Sequence, residues 1–414
     1  MAVAALLDEL LGGDLPLAVE AYDGSRAGPT EAPATVVIHS PDALRRIVTA
    51  PGELGLARAY VAGDLELRGS IWALLELRDR IPGARPDPRL IPPLVHELGG
   101  WREVRPLPPP PEEVRLRGRR HSKARDAAAI SHHYDVSNAF YRLVLGPSFT
   151  YSCAVFRDPD DTLEQAQANK YELICRKLDL RRGMRLLDVG CGWGGMVMHA
   201  AQHHGVRAVG VTISKQQVEA AEKRVAEAGL SGQVQIRAQD YRDVDDGPYD
   251  AICSIGMFEH VGEARLAEYF GCLRRLLPPQ GRLLNHGISR PTRGQRARLP
   301  RRSFVNRYVF PDGELHEVGR VISITQDAGF EVRHAESLRE HYALTLRRWV
   351  ANLEERWDEA VAEVGEGRAR VWRLYMAGSA VNFEAGRTQV HQVLSVPRTD
   401  DGLSGLPLRP AFEL

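Results

Sequence analysis

The stretch LLDVGCGWGG at residues 186–195 is the feature that most constrains how this chain can fold. Two leucines and an aspartate indicate the end of a strand, and four glycines follow at residues 190–195. Glycine allows a tight turn and a close approach of the backbone to a ligand. A turn of this kind, between a strand and a helix, is typical of a βαβ unit that binds a nucleotide-like cofactor.

The segments around this turn alternate between helix and strand. We predict a helix at Leu163–Leu178, a strand at Arg185–Val189, a helix at Met196–His203, a strand at Ala208–Thr212, a helix at Ser214–Ala228 and strands at Val234–Ala238, Ala251–Ile255 and Gly281–His286. This alternation predicts an α/β fold with a parallel, doubly wound sheet. The glycine turn then lies at the carboxyl ends of the strands, where such sheets bind ligands.

The whole chain is long enough for more than one domain. With 414 residues and 43% hydrophobic side chains, it is neither disordered nor fibrous. Before residue 100, short segments such as Ala34–His39 and Ile71–Asp79 carry no catalytic cluster, and a proline run at Pro106 and Pro108–Pro111 follows. Proline disrupts helices and central strands. We therefore predict domains at residues 1–105 and 126–396, a linker at 106–125 and a tail at 397–414.

Cysteine usage and hydropathy bear on the compartment. The five cysteines form no CxxC pair and lack the density of a disulfide scaffold, so we expect a reducing cytoplasm and assign no metal ion. The apolar start AVAALL is followed at once by Asp8 and Glu9, which argues against a signal peptide. No apolar run approaches the roughly 20 residues that span a bilayer. Any contact with lipid would therefore be peripheral.

Two basic segments leave two interpretations open. Residues 115–125 and 292–302 are rich in arginine, although the 54 basic and 54 acidic side chains of the whole chain balance. Such runs are often solvated linkers. They are also typical of surfaces that bind anionic lipid headgroups, at about 1 kcal/mol per basic residue, or nucleic acid.

The glycine turn favours S-adenosylmethionine over other nucleotide-like cofactors, although tight strand–helix packing alone explains some such turns. The turn lacks the Lys–Ser/Thr ending of a phosphate-binding loop, and the second strand ends in GVTIS, without the carboxylate that binds a dinucleotide ribose. A close backbone turn suits the methionine end, and polar groups after the third strand suit the adenine. The candidate cofactor residues are Asp188, Gly190, Gly192, Gly194, Thr212, Gln217, Gln239 and Asp240.

The chain from about residue 130 resembles the cyclopropane-fatty-acyl-phospholipid synthases. The motifs that carry the resemblance are HHYDVSNAFYRLVL, TYSCAVF, LLDVGCGWGG, VTIS, QDYRD, SIGMFEHVG, RYVFPDGEL, HYALTLRRW and QVHQVLSV, in this order. The N-terminal region is similar mainly through ARAYVAGDLEL at residues 57–67. The resemblance implies a Rossmann-like class I methyltransferase domain with a smaller α+β domain that contacts lipid.

The resemblance also implies an activity. Members of this family use S-adenosylmethionine to add a methylene across a cis double bond of a phospholipid acyl chain. An actinobacterial branch, which the segments after NHGISRP resemble, instead forms 10-methylene-stearoyl (tuberculostearate precursor) chains for a flavin-dependent reductase partner. We therefore expect a phospholipid substrate at the inner face of the cell membrane, a homo-oligomer and no nucleic acid. The alternatives are a small-molecule or amine methyltransferase, or a lipid-binding module without activity.

The family's bicarbonate ligands map onto this chain by resemblance, as do two further cofactor contacts. The bicarbonate positions are Cys153, Glu259, His286, Ile288 and Tyr342, and the methionine-end contacts are Tyr134 and Ser152. Cys153 and Tyr342 also fit a packing role, whereas Glu259 and His286 each follow or end a strand at the edge that carries the glycine turn.

The family pattern also directs attention to an aromatic lining and to one departure. The aromatic side chains that fit a cation-tolerant lining are Tyr308, Phe310, Trp349 and Phe383. As an alternative, these four residues form the core or the walls of an acyl channel. One position departs from the family: Gly146 stands where many relatives carry an acidic residue.

Overall fold

The computed structural model describes residues 2–13, 16–77, 88–114, 137–292, 300, 302–311 and 313–414. Tyr134, the basic segment 115–125 and most of 292–302 lie outside these residues. The strands are β1 (Ala18–Ala21), β2 (Arg26–Ala27), β3 (Ala34–Ile38), β4 (Leu65–Gly69), β5 (Arg185–Val189), β6 (Arg207–Thr212), β7 (Val234–Ala238), β8 (Ala251–Ile255), β9 (Arg282–Ser289), β10 (Phe330–Ser337) and β11 (Gln389–Pro397).

Helices connect most of these strands. They are α1 (Val3–Leu11), α2 (Pro41–Thr49), α3 (Glu53–Ala62), α4 (Ile71–Glu76), α5 (Ile91–Glu97), α6 (Asn138–Leu145), α7 (Leu163–Leu178), α8 (Gly195–His204), α9 (Lys215–Glu227), α10 (Leu266–Arg275), α11 (Phe304–Tyr308), α12 (Val318–Asp327), α13 (Arg339–Glu355), α14 (Trp357–Val364) and α15 (Glu366–Glu384). None of the helices in the described ranges is long and apolar enough to cross a membrane.

The chain divides into two compact units. The first unit comprises Met1–Arg115, Pro300–Pro311 and Glu354–Val381, and the second comprises Leu116–Leu299, Asp312–Leu353 and Asn382–Leu414. The domain limits drawn from the sequence stay a prediction.

The first unit contains a small mixed sheet. Its strand order is β2-β1-β3-β4, in which β1 and β3 run parallel and the other neighbours are antiparallel. The carboxylate of Glu113, which is buried, accepts hydrogen bonds from Arg58 Nε at 2.7 Å and Nη2 at 2.8 Å. A buried charge of this kind is tolerated only when it is paired.

The second unit contains a seven-stranded sheet in the order β10-β11-β9-β8-β5-β6-β7. The five strands from β9 to β7 are parallel, which confirms the predicted α/β fold, and β10 and β11 add an antiparallel edge. Alternate residues of β5 serve the two faces: Leu186 packs in one apolar layer, and Leu187 and Val189 pack in the other. The sheet is therefore covered on both sides, as parallel sheets require.

The order of the strands places a ligand crevice at the end of β5. From β5 the chain proceeds to β6 and β7 on one side, and then returns to β8 and β9 on the other. The carboxyl ends of strands at such a reversal form the crevice in which doubly wound sheets bind ligands. The glycine turn follows β5 directly, so it lies at this crevice.

Candidate active site

A pocket at the carboxyl ends of β5, β6, β7 and β8 collects most of the predicted cofactor residues. Those that line it are Ser152, Asp188, Gly190, Gly192, Thr212, Gln217, Gln239 and Asp240. Gly194 is not in the wall but caps the N-terminus of α8 with a φ of +78°. The turn, three strand ends and the segment before α7 therefore meet at one cavity.

Backbone geometry explains the glycines of the turn. The amides of Gly190 and Cys191 donate to the Val211 carbonyl at 2.9 and 3.1 Å, which fastens the turn to the end of β6. Gly192 has a φ of +54°, and a Cβ there would meet no atom within 4 Å. Gly192 lines the pocket, so a ligand can approach the main chain at this position.

Two opposite charges lie at the wall of the pocket, and only one of them was predicted. Asp188 is 2% exposed, and its Oδ1 has no hydrogen-bond partner among the described residues. Burial raises the pKa of its carboxyl group to about 6. Lys170 of α7 donates from Nζ to Ser152 Oγ at 3.1 Å, and burial lowers the pKa of its ammonium group to about 7. The pair offers an acceptor and a donor to a zwitterionic ligand.

Helix α7 carried a signal that could have revealed Lys170. A capping box of Thr162 and Gln165 fixes the start of this helix. Lys170 and Lys177 lie seven residues apart, which places them on the same helix face, and both are at most 1% exposed. Lysine is almost never fully buried without a specific partner. A lysine at a core position of an amphipathic helix therefore indicates a buried site with a specific partner.

Internal hydrogen bonds hold the far wall of the pocket. Thr212 Oγ1 donates to Gln217 Oε1 at 2.8 Å, and the Ser214 hydroxyl caps the helix that carries Gln217. Asp240 accepts from Arg242 Nε at 2.8 Å and from Nη2 at 2.6 Å. Arg242 also lines the pocket. Any ligand contact of Asp240 is therefore made by a carboxylate that already has a cationic partner.

Glu259 lies beside this pocket on the turn Phe258–His260 after β8. Its Oε1 accepts a hydrogen bond from the Ile288 amide at 2.7 Å, so two of the predicted ion-binding residues are in contact. Oε2 is buried and lacks a hydrogen-bond partner within the described part of the chain. Burial raises the pKa of the Glu259 carboxyl group to about 7, and the Ile288 hydrogen bond opposes this shift. The neighbouring His260 lines the cofactor pocket, whereas Glu259 does not.

His286 is held on β9, two residues before Ile288 and on the same face of the strand. Lys177 Nζ donates to Gln392 Oε1 at 2.6 Å, which turns the Gln392 amide nitrogen toward His286 Nδ1 at 3.2 Å. Nδ1 is thus an acceptor, and the ring proton lies on Nε2. Burial lowers the pKa of His286 to about 3, so the ring is neutral.

Cys153 and Tyr342 share one backbone acceptor. The Leu338 carbonyl oxygen lies 3.6 Å from Cys153 Sγ and 3.1 Å from the Tyr342 nitrogen, and both groups donate to it. Burial raises the pKa of the Cys153 thiol, which keeps it protonated. The structure therefore joins these two residues to each other, and Glu259 to Ile288, as separate pairs.

An aromatic cluster connects Tyr342 to the cofactor pocket. The Tyr342 ring packs against Phe383 at 4.7 Å and edge-on against Trp349 at 6.0 Å. Trp349 stacks at 5.3 Å on Tyr151, which lines the pocket. Tyr151 was not predicted as a site residue, although it precedes Ser152.

The other two predicted aromatics belong to the first unit. The Tyr308 hydroxyl donates to Glu113 Oε2 at 3.3 Å. Phe310 packs edge-on against Tyr375 at 5.8 Å. Both side chains thus have structural contacts of their own within that unit.

The acidic residue that many relatives carry at position 146 is absent here, but another carboxylate lies close to Gly146. Gly146 has a φ of +78°, and a Cβ at this position would lie 2.8 Å from the carboxylate oxygen Oε1 of Glu164. A side chain at 146 would therefore require the carboxylate of Glu164 to move aside. Glu164 brings a carboxylate to this segment from the first turn of α7.

Comparison with known proteins yields consistent matches over both the sequence and the fold. The model of the mycolic acid cyclopropane synthetase family matches residues 121–393. A probable fatty acid methyltransferase of Mycobacterium tuberculosis, Rv3720, is 50% identical over 97% of this chain and 96% of its own length. The cyclopropane-fatty-acyl-phospholipid synthase of Escherichia coli K12 is 33% identical over 92% of this chain and 93% of its own length.

The solved structures include a match with a bound cofactor product. The mycolic acid cyclopropane synthase CmaA1, complexed with SAH and CTAB, superimposes with a TM-score of 0.61 and 36% sequence identity. The match covers 98% of that chain and 65% of this one. The similarity in structure thus concerns about two thirds of the chain.

Proposed function

Because the chain belongs to the mycolic acid cyclopropane synthetase family and is an S-adenosylmethionine-dependent methyltransferase, we propose that it methylates the cis double bond of unsaturated acyl chains in membrane phospholipids. The product would be a cyclopropane or a 10-methylene acyl chain. The observation that carries this proposal is the buried Glu259 carboxyl group beside the cofactor pocket, with one oxygen lacking a hydrogen-bond partner among the described residues.

The pocket residues fit S-adenosylmethionine. Asp188 Oδ1 is a buried acceptor suited to the methionine ammonium, and Lys170 is a donor suited to the carboxylate. Thr212, Gln217, Gln239 and Asp240 would hold the nucleoside end, with Gly190 and Gly192 allowing the close approach. Ser152 positions Lys170 through its hydroxyl. The Tyr134 contact is part of the proposal but lies outside the described residues.

The Glu259 region fits a small anion that shares a proton. An ionised Glu259 would repel an anion, but a pKa raised to about 7 keeps a proton available for a hydrogen bond to it. The Ile288 amide orients the carboxyl group, and His286 Nε2–H is a further neutral donor. S-Adenosylmethionine supplies the electrophilic methyl group and bicarbonate, when bound, supplies the base. Cys153 and Tyr342 complete the proposed ligand set through their shared contact with Leu338.

The aromatic cluster is suited to stabilising a positive charge on the acyl chain. An alkene that accepts a methyl group carries a positive charge until a proton leaves. Loss of the proton from the added methyl closes a ring, whereas loss after a hydride shift leaves a methylene branch. The faces of Tyr151, Trp349, Tyr342 and Phe383 can stabilise this charge by about 0.5–2 kcal/mol each. Their apolar packing also excludes water, which would otherwise add to the cation.

We further propose that the protein reaches its substrate from the membrane surface. The E. coli relative is named for a phospholipid product, and the basic segments at 115–125 and 292–302 suit anionic headgroups. Association from the cytoplasmic face would bring the acyl chain to the enzyme without a spanning segment. A flavin-dependent reductase would then act on a methylene product, and self-association of this chain stays part of the proposal.

The decisive experiment follows the methyl group. The purified chain is incubated with isotope-labelled S-adenosylmethionine and vesicles of dioleoyl phosphatidylglycerol, and the lipids are analysed by mass spectrometry and NMR. We expect label in the acyl chain, with the NMR spectrum distinguishing a ring from a methylene. Activity should fall as salt rises, because charges separated by more than about 8 Å are screened at physiological ionic strength. Label confined to an added amine or other soluble acceptor would overturn the proposal.

A further inference from the structure

Helices α7 and α8 bring together three side chains that the methyltransferase reaction does not use. These are Cys175 on α7, and His199 and His204 on α8. The Cys175 sulfur and one ring nitrogen of each histidine all lie within 4.8 Å of one another. Cys175 is fully buried, and the side chains of His199 and His204 are only 14% and 19% exposed.

A carboxylate faces the two histidines of this group. Glu172, one turn before Cys175, places Oε2 3.0 Å from His204 Nε2 and 3.5 Å from His199 Nε2. Its other oxygen, Oε1, accepts a hydrogen bond from Arg176 Nε at 2.7 Å. One carboxylate oxygen therefore faces both rings while the second is held in place.

The orientation of the His204 ring leaves a nitrogen lone pair directed at this oxygen. His204 Nδ1 lies 3.3 Å from the Leu180 carbonyl oxygen, to which it can only donate. In a neutral ring, Nε2 is then an acceptor that faces another acceptor, and the contact requires a proton or a cation between them. His199 Nε2 is buried and makes no hydrogen bond to any described residue.

We propose that Cys175, His199 and His204 bind a zinc ion, with Glu172 as the fourth ligand. Thiolate sulfur, imidazole nitrogen and carboxylate oxygen are the usual donors to four-coordinate zinc. The hydrogen bond from His204 Nδ1 to a carbonyl is the arrangement that orients metal-binding histidines. With all four positions taken by protein, the ion would fasten α7 to α8 and take no part in methyl transfer.

Protonation and access are compatible with this site. His199 Nε2 makes no hydrogen bond to any described residue, so it is available as a ligand. Metal binding would displace the proton of the Cys175 thiol, since the thiolate is the binding form. A surface depression lined by Cys175, His204, Leu406 and Phe412 provides an entry path. This arrangement differs from the initial expectation that the chain binds no metal.

The test measures zinc directly. The full-length protein is stripped with a chelator and dialysed against Zn²⁺ alone, and we expect one equivalent per chain. Replacement by Co²⁺ should give a thiolate-to-metal charge-transfer band. Cys175→Ser should abolish this band, and His204→Asn should lower the affinity by at least the about 10–100-fold seen when an outer-shell partner is lost. His96→Asn, an exposed histidine of α5 outside the three-residue group, is the control and should bind zinc normally.

The outcomes separate this proposal from the proposed function. Loss of zinc binding in Cys175→Ser with unchanged affinity for S-adenosylmethionine supports a separate structural site. Absence of stoichiometric zinc in the wild type, or unchanged zinc affinity in both ligand variants, overturns it and leaves a proton-mediated pair of Glu172 and His204. If Cys175→Ser does not fold, the wild-type Co²⁺ spectrum decides, because a missing thiolate band overturns the proposal.

Discussion

The cofactor pocket and the Glu259 region lie at the same edge of one sheet but are built differently. The pocket depends on main-chain conformation, with Gly190 and Gly192 at positive φ. The Glu259 region depends on a side chain that one backbone amide, that of Ile288, holds in an apolar setting. Consecutive residues serve the two regions, since His260 lines the pocket and Glu259 does not. Binding of the methyl donor and removal of the proton should therefore be separable by mutation.

The largest effect is expected from Gly192→Val, which should abolish detectable binding of S-adenosylmethionine by calorimetry. A β-branched side chain at a φ of +54° is strained, and it would occupy the space where the ligand meets the main chain. Gly229→Val is the control, because Gly229 also has a positive φ (+69°) and open space around it but lies outside the pocket. Near-normal affinity in Gly192→Val would remove the turn from the binding site.

Glu259→Gln should give the converse result. We expect turnover to fall by about 10²–10⁴-fold, as for a lost general acid–base group, while the affinity for S-adenosylmethionine is unchanged. The amide is nearly isosteric and can still accept from Ile288, but it cannot exchange a proton with a bound anion. Glu263→Gln, an exposed carboxylate four residues later, serves as the control in the same vesicle assay.

Two results would break the comparison. A wild-type rate in Glu259→Gln would exclude this carboxyl group from the reaction. Loss of cofactor binding in the same variant would move Glu259 to the cofactor site. Added bicarbonate should restore part of the activity if the weakened site still admits the ion, and should have no effect if Glu259 is itself the base.

The smallest effect concerns stability and pH. Because the pKa of Glu259 is raised from 4.5 to about 7 in the folded state, the native protein retains a proton that the unfolded chain releases between these values. The wild type should therefore lose up to about 3 kcal/mol of unfolding free energy, relative to Glu259→Gln, as the pH rises from 4 to 8. Urea unfolding of both proteins measures this difference. The titration of Asp188 and Lys170 contributes equally to both proteins and therefore cancels. Parallel pH profiles would mean that Glu259 is not desolvated.

The sequence predicted the elements that arise from local patterns. The strands Arg185–Val189, Val234–Ala238 and Ala251–Ile255 were placed with their observed limits, because short apolar runs between turns are typical of buried parallel strands. The glycine turn was recognised for the same reason. The antiparallel edge formed by β10 and β11 was not predicted, since its pairing depends on contacts between distant segments.

The side-chain constellations were less accessible to sequence reasoning. The positions of Glu259 and Ile288 came from a family resemblance, and nothing in the local pattern predicts that they are in contact. Lys170 was overlooked because a lysine on a polar-looking helix is usually exposed. The cluster of Cys175 with two histidines arises from the packing of two helices, and the spacing along each helix does not reveal it.

The late place of β11 in the chain, although it pairs with β9 in the finished sheet, has a consequence for biosynthesis. Gln392, which orients the ring of His286, follows it by 106 residues in the chain. At translation rates of about 5–20 residues per second, the histidine leaves the peptidyl-transferase centre roughly 5–20 s before its partner is made. During that interval β9 presents an unpaired edge, and nascent chains stalled before residue 389 should expose it to chaperones.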